Sequence, residues 1–434
     1  GMGYGGRGIF ALDVTDPLDV TDPASFSEAN AASIVKWEFS NSNDPDMGFV
    51  MNTPSIVKMK NGRWAAIFGN GYNSSTEQAA LFIVFLDSPG GTWTAGTHYV
   101  KLPVGSPNNG NGLAGPAAVD LDGDSLVDYI YAGDLKGRMW QFNVNSEDPA
   151  EWAVGYNGTA LFAAVDAGGV PQPITATPEV GLNLLTGTNK DDLVVYFGTG
   201  RYLASGDNTR IGQRAQTFYG IFADPIATPG SPPIETPASP SPGRNSLLQQ
   251  FVEQEVTVNS GDRARITSRN PLTIGTHAGW YIDLFNTNGN PAATGPNLGE
   301  RQISRPILRF GRIVFTTLVP SDDACDPDGS GWLMELDARD GGQPRKPSLD
   351  ITDDLIVDNN DIYDERDPDD PDDDINISGI GSAQGILSTP AVLYVGREGI
   401  GEVKYSTRSD GSTAVIGEAA SDRVGRITWR EIAP

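Results

Sequence analysis

The sequence has one cysteine, two histidines and six methionines among 434 residues. A lone thiol, Cys325, cannot close a disulfide within the chain, and no Cys/His spacing suited to zinc occurs. Cys325 sits in the turn SDDACDPDGSGW with no histidine near it in sequence, so a thiol nucleophile is not expected. His98 and His277 are too few for most acid–base or metal constellations. His98 stands in the alternating run THYVKLP and reads as a surface strand residue. Neither a GxSxG elbow nor an HExxH pair is present. No run approaches 18 apolar residues, so no transmembrane segment is predicted, and no signal-peptide pattern opens the chain. Basic residues are scarce: 30 Lys and Arg stand against 56 Asp and Glu, a formal net charge of −26. Nucleic acid is therefore not an expected partner, since phosphate contacts need Lys and Arg. Among so many carboxylates, an Asp/Glu pair alone carries no glycosidase signal.

What the chain does have is turns. It holds 52 Gly and 31 Pro, and long amphipathic helices are hard to find. Five stretches share a small or polar residue, then Pro, then apolar residues: NTPSIV, AGPAAV, TATPEV, SRPIL and STPAVL, at Pro54, Pro116, Pro178, Pro306 and Pro390. The first two spacings are equal (116 − 54 = 62 and 178 − 116 = 62); the next are 128 and 84. A second apolar run follows four of these starts (64–72, 128–137, 192–203, 312–320), and a third run ends polar or acidic (81–87, 138–144, 217–224, 331–337). IFALDVTDP at 9–17 fits the third position, with IVKWEF at 34–39 as a fourth strand. Short strands with Gly/Pro turns in units of about 60 residues predict an all-β fold, a β-propeller of about six to seven blades, the upper count resting on the family resemblance given below. The glycines after the second runs (GNGY, AGDLKG, GTGR) are turn glycines. None leads into a helix, so a phosphate-binding loop is excluded by context.

Two long loop insertions are expected within a single propeller domain over 1–434. One, at about 225–275, is Pro/Ser-rich; within it, 245–257 could be a short helix or strand. The other, at about 338–385, is acidic, and its DPDDPDDD run (367–374) reads as solvated chain. RITWREI at 426–432 reads as a last strand that closes the ring. The opening GMGYGGRGIFALDV looks like the middle of a β-element, so a C-terminal portion of a longer protein is expected.

The chemistry concentrates in PAAVDLDGDSLVDYIYAGDLKGRMWQF, residues 116–142. Asp120, Asp122, Asp124 and Asp128 occupy positions 1, 3, 5 and 9 of a short loop between two apolar strands. That spacing turns alternate carboxylates onto one hard cation, and Ca²⁺ takes six to eight oxygens. Leu126, at position 7, would give its backbone carbonyl. Four carboxylates so close repel one another without a counter-ion. The alternative is a solvated acidic turn. Mg²⁺ fits less well, because it prefers a rigid octahedron and its own waters. Position 6 is Ser125 rather than Gly and position 12 is Tyr131 rather than Glu, so a further ligand must come from water or elsewhere. A second loop in the acidic insertion places Asp350, Thr352, Asp354, Asp358 and Asp361 at positions 1, 3, 5, 9 and 12, with Ile356 at 7. It resembles a dockerin-type calcium loop, with Thr as a weaker ligand at 3 and Leu355 where Gly suits the turn.

IFALDVTDP, MWQFNV and WLMELDARDG also suggest a quinoprotein-like dehydrogenase propeller, which binds Ca²⁺ beside pyrroloquinoline quinone. Such enzymes usually need a vicinal Cys pair and a regular Trp motif, and this chain has neither. The ordered set GGRGIFALDV, AVDLDGDSLVDYIYAGDLKGRMWQF, VYFGTGRYL, SRPILRFGRIVFTTLVPSDDAC, GSGWLMELDA and GRITWREI resembles the C-terminal domain of the PilC/PilY family of type IV pilus tip adhesins and biogenesis factors. The resemblance implies a modified β-propeller with one calcium loop, carried over to Asp120, Asp122, Asp124, Leu126 and Asp128. It also implies a non-enzymatic, extracellular protein at the pilus tip, with outer-membrane association as a variant. Its implied partners are minor pilins and a host or abiotic surface, and calcium would bear on pilus extension and retraction. A passive filament component with purely structural calcium is the remaining alternative.

Overall fold

A computed structural model of the chain describes all residues except 16–26, 186–191, 211, 224–242, 259–261, 288–298, 323–328, 365–373, 383–384, 398–399 and 419–434. Cys325, the DPDDPDDD run up to 373 and the RITWREI stretch lie outside the described residues. Two compact units emerge, Gly1–Leu161 and Phe162–Thr428.

Each of the five repeat prolines stands one residue before a strand: Ser55–Lys58, Ala117–Val119, Glu179–Leu182, Ile307–Arg309 and Ala391–Arg397. The missing N–H therefore falls outside the ladder. The second runs form Trp64–Gly69, Tyr129–Gly133, Leu193–Gly198 and Arg312–Thr316. The third form Ala79–Phe85, Arg138–Asn143, Thr217–Ala223 and Gly331–Asp337. Within each unit, start, second and third strands pair in that order and antiparallel. Gly8–Leu12 pairs with Val35–Ser40 as the opening two-stranded sheet.

The first unit shows why the pattern makes stacked sheets. Strand Ala79–Phe85 is buried along its whole length. Its odd-numbered residues Leu81, Ile83 and Phe85 pack with Ile130, Trp140 and Phe142 of the following sheet. Its even-numbered residues Phe82 and Val84 pack with Trp37 and Phe39 of the preceding one. A sheet covered on both faces needs an unbroken apolar run, and AALFIVF supplies one. Gly71 closes the turn after the second strand at φ +69°; a Cβ there would lie 1.9 Å from the Phe49 carbonyl oxygen.

In the second unit, ten strands form one continuous sheet. Its order is Glu179–Leu182, Leu193–Gly198, Thr217–Ala223, Gly279–Asn286, Leu248–Thr257, Arg263–Thr267, Gly379–Ser382, Gly331–Asp337, Arg312–Thr316 and Ile307–Arg309. One ladder in it, between Leu248–Thr257 and Gly279–Asn286, is parallel. The sheet curls until its ends meet: Leu308 covers Gly181, and Arg305 pairs with Glu179 at 2.8 Å. Tyr196, Phe218, Trp280, Ile313, Phe315 and Met334 belong to its core. On other strand faces, Ala264, Val314, Leu333 and Ile380 pack with Leu349, Ile351 and Ala414.

The described parts of both stretches read as insertions thus carry strands. Leu248–Thr257 hides its alternation because Gln250 points inward. Its amide is satisfied by the carbonyls of Asn270 and Asp340, at 2.9 and 3.0 Å, so a polar residue is tolerated in the core. Both histidines serve turns. His98 Nδ1 accepts from the Thr94 N–H, and His277 Nδ1 accepts from the Thr273 N–H, in the matching stretches TAGTH and TIGTH.

Candidate metal centre

The loop at 120–128 joins strands Ala117–Val119 and Tyr129–Gly133 of the first unit. It is wound around Asp120, whose two oxygens accept the Gly123 and Ser125 N–H groups at 2.8 and 2.9 Å. Asp122 accepts from Asp124 N, and Asp124 accepts from Leu126 N. Asp128 Oδ2 accepts from Leu121 N at 2.7 Å, tying the end of the loop to its start. Gly123 and Ser125 both take positive φ, 77° and 70°, so the turn tightens at positions 4 and 6. Ser125 takes that conformation without a glycine.

The carboxylate oxygens of Asp120, Asp122 and Asp124 all lie within 4.8 Å of one another. Asp122 and Asp124 are exposed, Asp120 is half-buried, and Asp128 is 1% exposed. Asp128 Oδ1 is buried and accepts no hydrogen bond; its charge partner is Lys60 Nζ at 2.8 Å. The donor set is all oxygen and all anionic, with an open side where water can complete a shell. These residues fit a hard divalent cation of the Ca²⁺ type. Asp120, Asp122, Asp124 and Asp128 would hold it, and the Leu126 carbonyl is the neutral candidate beside them.

Sequence reasoning missed Lys60. Its ammonium reaches across from the neighbouring sheet to Asp122 at 3.3 Å and to Asp124 and Asp128 at 2.8 Å. A bridge between Met59 and Val127 and the Val127 N–H to Lys58 carbonyl bond fix this placement. The signal was there: Lys60 stands six residues after Pro54, as Asp122 stands six after Pro116, so the repeat sets their two turns side by side. Burial disfavours the Lys60 ammonium, but its hydrogen bond to Asp124 and the charge of Asp128 outweigh that and hold its pKa above the usual lysine range. Burial also raises the Asp120 carboxyl, against its two backbone hydrogen bonds. The Asp124 carboxyl, also opposed by burial, is held below its usual range by Lys60.

The second loop repeats this winding. Asp350 accepts from Asp353 N and Leu355 N at 2.8 and 2.7 Å, and Asp354 accepts from Ile356 N. Asp353 and Leu355 take positive φ, 64° and 63°, at the same two positions. Here Asp361 closes the loop onto the Ile351 N–H at 2.8 Å, as Asp128 does in the first. Asp358 caps the short turn that follows, accepting from Asn360 N. Thr352 Oγ1 bonds to Asp350 and Asp361 at 3.3 Å. Among the described residues, Asp350, Asp354, Asp358 and Asp361 form no ion pair and do not converge as the first group does.

Strands, stacked sheets and an acidic hairpin loop define an all-β protein of the propeller class with a candidate hard-cation site. The family model for the PilY1 beta-propeller domain matches residues 1–260, and the chain belongs to that family. It is 40% identical over 358 residues to a type IV pilus biogenesis factor PilY1 homolog of Xylella fastidiosa, covering 79% of this chain and 21% of that protein. It is 32% identical over 386 residues to the type IV pilus biogenesis factor PilY1 of Pseudomonas aeruginosa, covering 83% of this chain and 30% of that protein. The crystal structure of the Pseudomonas aeruginosa PilY1 C-terminal domain matches with a TM-score of 0.74 at 26% identity, over 96% of this chain and 79% of that one. The chain thus spans between a fifth and a third of the length of these curated relatives. Their names describe pilus biogenesis factors, not enzymes.

Proposed function

We propose that this chain is the calcium-binding propeller part of a type IV pilus biogenesis factor. It acts without catalysis, outside the cell at the pilus tip with minor pilins, and it attaches the pilus to a host or abiotic surface. Calcium in the 120–128 loop sets the local shape of the blade edge and so the balance between pilus extension and retraction. The second loop, 350–361, is a further calcium site of the same winding. The observation that carries this reading is the convergence of Asp120, Asp122 and Asp124, with buried Asp128, on one hairpin of a chain in this family.

The chemistry asks little of the ion beyond charge. Four carboxylates on one turn repel when unbalanced and are drawn together when a cation is held. Anything that binds the folded form alone stabilises it by mass action.

The test replaces Asp120 and Asp128 by Ala in the full-length protein within its own bacterium. Surface pili, surface attachment and retraction-driven motility are measured beside the level of the exported protein. Lost or unbalanced piliation at normal protein level is expected. Loop variants that lose melting temperature and keep every pilus phenotype would reduce the ion to a structural part.

A further inference from the structure

We propose that Lys60 is a tethered counter-ion of the 120–128 loop that must leave before a divalent cation settles there, coupling ion uptake to the neighbouring sheet. This rests on the calcium reading above and goes beyond it: it makes a side chain of this same protein the competitor of the ion for its ligands.

Lys60 lies in the turn between strands Ser55–Lys58 and Trp64–Gly69, in a different sheet from the loop. Its side chain is only 10% exposed, and its ammonium contacts three of the four candidate ligands. Asp122 and Asp124 each accept a hydrogen bond from Nζ, and Asp128 Oδ1 has Nζ as its charge partner. An ammonium among three carboxylates fills the electrostatic role of a metal but supplies only three N–H donors. It also blocks the approach to the oxygens a cation would use. A tethered group competes at a high effective concentration, so it weakens metal affinity without changing any ligand. The second loop is a comparison within the chain: its winding is alike, and among the described residues no Lys or Arg pairs with its carboxylates.

Two measurements test this on the chain. Calcium is titrated by calorimetry into the wild type, Lys60→Met and Lys60→Arg. Lys60→Met should bind about tenfold more tightly, the worth of one charge-assisted hydrogen bond. Lys60→Arg should stay close to wild type. Equal affinity of wild type and Lys60→Met overturns the proposal while leaving the calcium reading intact. Heat in neither overturns both. Should Lys60→Met fail to fold, amine labelling of the wild type, read by mass spectrometry at Lys60, decides alone. Labelling should rise on adding calcium as the ammonium is released to solvent. Unchanged or lower labelling at saturating calcium overturns the proposal.

Discussion

Asp128 divides its two oxygens between two tasks. Oδ2 ties the loop shut on Leu121 N–H, and Oδ1 is left for a cation. Asp134 shows the contrasting case of a buried carboxylate used only for structure. It is fully buried and accepts from Trp140 Nε1, Asn111 Nδ2 and the N–H groups of Lys136 and Arg138, all at 2.9 Å. Asp134→Ala strands these donors and should cost about 2–4 kcal/mol in denaturant unfolding with calcium affinity unchanged; a cost under about 1 kcal/mol contradicts this. Asp337 is one of the carboxyls that make stability depend on pH. Burial would raise its carboxyl, but Arg339 and Arg345 hold it below the usual range. Its folded pKa then lies under the unfolded value of about 4, so its stabilisation is full at neutral pH and fades as pH falls through the folded value. Asp337→Asn should lower stability near pH 7 and flatten the acid limb of a stability–pH curve. An acid limb as steep as that of the wild type would refute it. At this scale, the gathering of Asp120, Asp122 and Asp124 on one turn was legible, because residue spacing along a turn is a local property. Lys60 was not, since its role depends on which two turns lie side by side.

Among the elements, the repeat was readable because prolines and unbroken apolar runs leave periodic marks: all five prolines precede strands. Strands at 248–257 and 263–267 were harder to read. Gln250 and the buried Arg265, which pairs with Glu300 at 2.7 Å, place polar residues at inward positions and erase the apolar alternation. The sheet of Ala391–Arg397, Ile400–Thr407 and Thr413–Glu418 is joined to the long sheet through a buried charge network. Lys404 lies there between Glu335 and Glu418, with Arg312 on both glutamates. Burial pushes Lys404 down to about 8. Lys404→Met leaves two buried glutamates short of charge and should cost about 3–5 kcal/mol. Adding Glu418→Gln should recover part of that loss, giving a double variant less destabilised than the sum of the two singles. Strict additivity in urea unfolding contradicts the network.

Across the whole molecule, the net charge of −26 sets the terms. Self-repulsion on that scale is relieved by bound cations, so calcium should raise the melting temperature in wild type and much less in Asp120→Ala. Equal shifts in both would point to diffuse screening instead of the loop. The all-β class was legible in the glycine, proline and strand pattern. The continuous ten-stranded sheet was not, because lateral joining of repeat units depends on pairing between distant strands.

The most direct test is an anomalous difference map from crystals of this chain grown with calcium. A peak bounded by the carboxylates of Asp120, Asp122, Asp124 and Asp128, with Lys60 Nζ withdrawn, is the predicted result. A loop with no peak, its carboxylates still gathered around the Lys60 ammonium at saturating calcium, would contradict the account.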